Sequence, residues 1–177
     1  MATDADILVI GAGIIGCAVA RELTARGART HVLDARRVGQ GATQASAGML
    51  APYTEAHDSG PLLGLLVRSL DLYDEWIQAV REESRVAVEY RRDGSLEAAF
   101  DAEGAETLRQ IGTAAGADRC QWLDAIEARA LEPGLTSRVL GGLFAPGHGF
   151  VSAPDLTDAL SRAVVRGGGL VQTGARA

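Results

Sequence analysis

Ile7-Leu8-Val9-Ile10-Gly11-Ala12-Gly13-Ile14-Ile15-Gly16 is the stretch that decides the fold. Ile7 to Ile10 form an unbroken apolar run of β-formers, the pattern of a parallel strand covered on both faces. Gly11 permits a sharp exit from that strand, Gly13 lets the main chain approach a pyrophosphate, and Gly16 lets helix and strand pack closely. Beyond them, Ile15, Ala18, Val19 and Leu23 recur at three- and four-residue spacing and predict a helix that ends near Arg26-Gly27. His31-Val32-Leu33-Asp34 reads as a second strand. A Gly-x-Gly-x-x-Gly run alone is weak, because glycine-rich loops produce it by chance. Here it leaves a strand, opens a helix and is followed by an acid 18 residues beyond Gly16. Against purely structural glycines, these positions favour a dinucleotide site.

In such a site the first amides of the helix, those of Ile14 and Ile15, and the positive end of its dipole hold phosphate charge. Asp34, at the end of the second strand with Ala35 beside it, is placed to accept hydrogen bonds from an adenosine ribose. The plain alternative is a solvated aspartate paired with Arg36 or Arg37. Those arginines could also take a 2′-phosphate, but the Asp34 carboxylate would repel it, which disfavours NADP.

Composition removes several classes. Of 177 residues, 47% are hydrophobic and 23% charged, values of a globular chain. Glycine occurs 22 times, where average usage gives about 12. The net charge is −6, and no clustered basic face suits nucleic acid. No apolar run reaches the roughly 18 residues of a membrane span, and the acidic amino terminus does not resemble a secretory signal. Cys17 and Cys120 are the only cysteines, too few for a disulfide scaffold or a cysteine zinc site. A cytoplasmic location is expected.

Further along, residues 39–60 are rich in Gly, Ala, Ser and Thr and read as a long loop with a short helix. Leu62, Leu66, Leu70, Tyr73, Ile77 and Val80 mark an amphipathic helix. Val86 to Arg92 and Ser95 to Phe100, around Asp93-Gly94, predict a β-hairpin. A helix is expected from Ala102 to Ala115, another from Leu123 to Leu131 before Pro133, and a strand from Val139 to Phe144. His148 to Ser152 reads as a turn or short strand. Ser152 and Asp155 around Pro154 start a helix whose buried face is Leu156, Leu160, Ala163 and Val164. Gly167-Gly168-Gly169 ends it, and Leu170 to Thr173 is a further strand.

The segment after Asp34 separates the dinucleotides. Six residues on come Gly41-Ala42-Thr43, then Ala45-Ser46-Ala47-Gly48-Met49-Leu50-Ala51-Pro52, with Glu55 beyond. Here the sequence resembles the FAD-dependent amino-acid oxidase family, and within it the glycine oxidase branch. In that family an acid, six residues, a glycine and a small hydroxyl residue continue the cofactor site, and an Ala-Gly-Met-Leu segment passes close to the flavin. The resemblance implies FAD as cofactor, held by Gly11, Gly13, Ile14, Ile15, Gly16, Asp34, Ala35, Gly41, Ala42, Thr43, Ala47, Gly48, Met49 and Ala177, the last where the family's main chain meets the adenine. It continues through Gly94-Ser95-Leu96, Leu131-Glu132-Pro133 and the Pro154 helix, and covers about the first half of such an enzyme. The chain departs from the family at Asp34 and Thr43, where glutamate and serine are usual, and at Gln44 and Ser46.

The implied fold is α/β: the start of a doubly wound parallel, Rossmann-like FAD-binding domain, truncated, with an inserted α+β substrate-domain segment. The implied divisions are 1–55 for the first part of the FAD domain, 56–83 for a linking helix, 84–150 for the substrate segment and 151–177 for the return. The implied activity is oxidation of glycine or a related small amine, with the flavin taking a hydride equivalent, dioxygen reoxidising it to give hydrogen peroxide, and the imine hydrolysing or feeding thiazole formation in thiamine biosynthesis. A sarcosine oxidase, a D-amino-acid dehydrogenase, a non-catalytic FAD-binding fragment and a plain NAD module stay open as alternatives. The plain NAD module should reach a third parallel strand soon after Asp34. A homo-oligomer is compatible with the full-length reading.

No catalytic residue is assigned. His31, His57 and His148 lack metal-ligand spacing to one another, so no metal site is expected. His148 reads as a loop histidine rather than a cavity residue, and Cys17, Trp76 and Trp122 read as packing residues.

Overall fold

The structure, a computed structural model, describes residues 4–55 and 60–175. Its chain forms two compact units, one from residues 1–48, 73–90 and 151–177 and the other from 49–72 and 91–150.

The first unit begins as its apolar runs dictate. Strand β1 (Ile7–Ile10), helix α1 (Ile14–Ala25) and strand β2 (Thr30–Asp34) follow in order, and β9 (Leu170–Thr173) completes a sheet of order β1-β2-β9. Both pairings are parallel, with Val9 opposite Val32 and Val32 opposite Val171. Helix α6 (Ala153–Arg166) starts at Ser152, whose Oγ accepts the Asp155 amide, and packs against α1. Leu156, Leu160 and Val164 are fully buried on its inner face.

Helix α1 presents the face that its hydrophobic pattern does not predict. Ile15 is 75% and Val19 47% exposed, while Cys17, Ala20, Arg21 and Thr24 are buried. The polar pair inside is satisfied: Arg21 is bidentate on Glu83, and the Thr24 and Thr30 hydroxyls share a hydrogen bond. Small and paired polar side chains let α1 lie close to its neighbours, and the bulky aliphatics turn outward.

The loop after β2 contains a single 3-10 turn (Thr43–Ala45), strand β3 (Met49–Leu50) and helix α2 (Pro52–Glu55). Helix α3 (Pro61–Ser84) buries Leu70, Ile77 and Val80 as its periodicity requires, although Leu62 is exposed.

In the second unit, β5 (Ser95–Ala99), β6 (Gln121–Asp124) and β7 (Gly141–Ala145) form an antiparallel sheet of order β5-β7-β6. The expected hairpin at Asp93-Gly94 is absent. Strand β4 is only Tyr90–Arg91 and lies in a different sheet, of order β3-β8-β4, with β8 at Gly149–Val151. Gly94 does take the left-handed conformation that an aspartate-glycine turn needs, φ 83°, but its amide donates to the His148 carbonyl.

The helix expected from Leu123 is also shorter. Asp124 caps α5 (Ala125–Leu131) in a reciprocal capping box with Glu127, so Leu123 ends β6 instead. Asp101 caps α4 (Ala102–Ala115). Two adjacent glycines let side chains cross the central strand β7: a Cβ on Gly141 would lie 2.3 Å from Trp122 and one on Gly142 2.7 Å from Leu96. The core between this sheet and its helices includes Leu108, Cys120, Leu143 and Tyr53.

Candidate nucleotide site

The turn between β1 and α1 has the geometry that its glycines imply. Gly11 leaves the strand with φ 104°, a left-handed value. At Gly16 a Cβ would lie 1.9 Å from the Gly11 carbonyl oxygen, so only glycine lets helix and strand close this tightly. Gly13 is the N-cap of α1 and has no side chain to cap it, and the first turn carries no acid. Amides in that turn have no intrahelical acceptors. The twelve-residue helix therefore offers its positive end to a phosphate.

Two residues from later in the chain are brought to this turn. The Asp34 carboxylate accepts the Ala12 amide at 2.8 Å through Oδ2 and the Arg36 amide at 2.8 Å through Oδ1. These amides, Arg36 first, hold the Asp34 carboxyl below its usual range, so it is ionised near neutrality. Thr43 is buried, and its Oγ1 accepts the Ile14 amide at 3.1 Å. Together these bonds place β2 and the 41–45 segment against one end of α1. A cavity of about 630 Å³ opens there, lined by Gly11, Gly13, Ile14, Ile15, Gly16, Ala42 and Thr43 among others.

The remaining predicted positions are dispersed. Gly41 has φ 122° and lies under the Arg36 guanidinium, where a Cβ would be 2.8 Å from Nη2. Ala35 and Ala47 are exposed, whereas Gly48 is buried with φ 72°. Met49 is 53% exposed and belongs to β3 in the second unit. Ala177 and His57 lie outside the described residues. Two contacts have no signal in the sequence: the Asp34–Ala12 bond and the cover of Arg36 over Gly41.

His148 does lie in the loop between β7 and β8, and its side chain is fully buried in the second unit. Cys17 is buried, as a packing residue would be, and so is Cys120; burial pushes both thiols up to about 11. Among the described residues no His, Cys, Asp or Glu cluster has the form of a metal site, and no helix is long and apolar enough to cross a membrane.

A parallel β-α-β unit with a glycine turn, an acid hydrogen-bonded to that turn and a cavity opening over it defines a dinucleotide-binding protein. The chain belongs to the FAD dependent oxidoreductase family, whose model matches residues 6–177, and its cofactor is FAD. A glycine oxidase of Geobacillus kaustophilus is 34% identical over 171 residues, 92% of this chain and 44% of that protein. A bifunctional protein ThiO/ThiG of Synechocystis is also 34% identical, over 98% of this chain and 25% of its own length. The crystal structure of the Geobacillus kaustophilus glycine oxidase superposes with a TM-score of 0.91 at 32% identity, covering 96% of this chain and 46% of that one. The chain thus spans less than half the length of these relatives.

The residues present fit FAD. The positive end of α1 suits the pyrophosphate, with Thr43 already holding the Ile14 amide, and the ionised Asp34 beside it suits a ribose diol.

Proposed function

We propose that this chain forms the FAD-holding part of an oxidase that converts glycine, or a related small amino acid or amine, to an imine. Water hydrolyses the imine to a 2-oxo acid and ammonia, and dioxygen takes the two electrons and two protons to become hydrogen peroxide. The observation that carries this reading is the joining of Asp34 and Thr43 to the Gly11–Gly16 turn, with the likeness to glycine oxidases pointing to the substrate class. The match to a ThiO/ThiG protein supports a place in thiamine biosynthesis. Sarcosine and D-amino acids are the nearest alternative substrates.

When bound, FAD supplies the two-electron redox chemistry. The chain's own residues bind and orient it. Gly11, Gly13 and Gly16 let the backbone approach the pyrophosphate, the Ile15 amide and the helix dipole meet its charge, and Ile14, whose amide is held by Thr43, lines the turn. Asp34, flanked by Ala35, accepts the adenosine ribose hydroxyls. Gly41, Ala42 and Thr43 would keep the turn in place, Ala47, Gly48 and Met49 would meet the flavin, and the family resemblance adds Ala177 to the set. In this reading the first unit is the FAD domain and the second is part of the substrate domain. No residue of this chain is assigned to the chemical step. The full-length protein works in the cytoplasm and allows a homo-oligomer. The 177 residues alone are expected to hold FAD weakly and release no peroxide.

Denaturing the purified full-length protein and identifying the released nucleotide tests the cofactor. A peroxide-coupled assay with glycine, sarcosine and D-proline tests the reaction. Recovery of NAD, or of FMN without adenosine, would remove Asp34 from the ribose, and silence with all three substrates would remove the oxidase.

A further inference from the structure

His148 is the most closely held polar side chain of the second unit. It is fully buried and stacks on Tyr53 with ring centres 5.4 Å apart and planes 11° from parallel. Its Nε2 lies 3.4 Å from the Tyr53 amide nitrogen, and its Nδ1 lies 2.7 Å from Ser95 Oγ. A backbone amide can only donate, so Nε2 must carry the lone pair. The ring proton then sits on Nδ1 and is donated to the Ser95 oxygen. Burial first, and the charge of Arg92 second, keep the ring neutral, with its pKa lowered to about 4. The geometry selects the tautomer, and a neutral ring is the charge state that it needs.

These bonds fasten one end of a short segment whose other end is also tied. The Gly48 carbonyl accepts the Val151 amide at 3.0 Å, and Met49 and Leu50 pair with Phe150 and Gly149. The segment is therefore tied at Gly48 to Val151, paired antiparallel at Met49 and Leu50, and held again at Tyr53, at the start of α2, by His148. The Tyr53 amide lies in the first turn of α2, where no intrahelical acceptor exists. His148 supplies one.

We propose that His148 is a positioning residue for the flavin: its imidazole, held by Ser95, pins Tyr53 and so sets the path of Gly48 and Met49 along the flavin ring. The proposal rests on the reading that these two residues meet the flavin. Ser95 acts one step further out, by accepting the Nδ1 proton that the Tyr53 amide requires and so holding the ring in its orientation.

The full-length holoenzyme is compared with its His148→Ala, His148→Gln and Ser95→Ala variants. Nitrogen-15 NMR of the histidine ring reads the tautomer, amide hydrogen exchange reads residues 49–54, and the visible spectrum of bound FAD reads the flavin's surroundings. The wild type is expected to show the Nδ1–H tautomer. His148→Ala should speed exchange of 49–54 at least tenfold and shift the flavin band while FAD content stays near one per chain. His148→Gln, whose side-chain oxygen can accept the Tyr53 amide, should bring both readouts back toward wild type. Ser95→Ala, which keeps the ring itself, should shift the band in the same direction as His148→Ala and serves if the alanine variant does not fold. An Nε2–H tautomer overturns the proposal. So does faster exchange with an unchanged flavin spectrum, since His148 would then be a core residue only. Failure of the underlying cofactor reading shows separately, as a wild type that takes up no FAD.

Discussion

Asp34 and Ala12 lie 22 positions apart, yet the carboxylate of one holds the amide of the other at 2.8 Å. The bond crosses from the end of β2 to the turn after β1, so the residue offered to the ribose also fixes the spacing of the pyrophosphate turn. Asparagine at this position keeps one acceptor oxygen but turns an NH2 toward one of the two amides. Hydrogen bonds to a charged group contribute about 1.5–3 kcal/mol each. Asp34→Asn should therefore weaken FAD binding roughly 10- to 150-fold, read by fluorescence titration of the apoprotein.

Gly16 and Gly13 should differ in tolerance. A methyl on Gly16 meets the Gly11 carbonyl at 1.9 Å, and backbone cannot step aside. A methyl on Gly13 meets only the Thr43 hydroxyl, at 3.2 Å. Gly16→Ala should lose its FAD and lower the melting temperature, whereas Gly13→Ala should keep the fold by circular dichroism with partial loss of FAD. Gly13→Val, whose branches fill the pyrophosphate space, should lose FAD with the fold intact. Equal melting temperatures for the two alanine variants would show that the Gly16 contact relaxes.

Acid should weaken the native protein through His148. Its pKa falls from 6.5 to about 4 on folding, first through burial and then through Arg92. Between those values the unfolded chain binds a proton that the native chain does not. Stability from this group is therefore complete above pH 6.5 and declines on acidification toward pH 4, by up to about 1.4 kcal/mol per pH unit. Denaturant titrations at pH 7 and pH 5 should show a smaller difference for His148→Gln than for wild type. Identical differences would assign the acid sensitivity to other groups.

The Asp124–Glu127 capping box holds the start of α5, with two amides accepted by Asp124 at 2.8 and 2.9 Å. Asp124→Ala should cost about 0.5–2 kcal/mol, read as a lower urea midpoint with an unchanged slope. Glu127→Gln keeps the reciprocal hydrogen bond and should cost less. A larger loss from the glutamine would place the effect in charge rather than capping.

The nucleotide turn was legible because it is contiguous: strand, glycines and helix start occupy ten residues in a row, and each has a local reason. The helix at Ser152 and the strand at Leu170 were legible for the same reason. Long-range pairing was not. The face of α1 depends on Glu83 reaching Arg21, a partner 62 positions away that periodicity cannot register. The aspartate-glycine hairpin was misread: Gly94 takes a left-handed φ, but its amide goes to His148 and β5 pairs with β7. Strand β6 was hidden because Trp122 and Leu123 run straight into a helical pattern. Of the candidate site, the Thr43–Ile14 bond spans 29 positions and the His148–Tyr53 bond 95, and no local signal announces either.

The place of β7 between β5 and β6 also bears on how the chain is made. Both outer strands leave the ribosome before the strand they need, and Asp124 precedes Ala145 by 21 residues. At about 5–20 residues per second, translation holds the β6 edge open for roughly 1–4 s and the β5 edge for roughly 2–9 s. The parallel sheet waits longer, since β9 pairs with β2 only after α6 has emerged. Birth order therefore runs against sequence order: the unit encoded in the middle can close first, while the nucleotide turn, synthesised at the outset, stands last in line for its complete sheet. Slow codons after Ala145 would favour this order, and a nascent chain halted before it would be the species that a chaperone must shield.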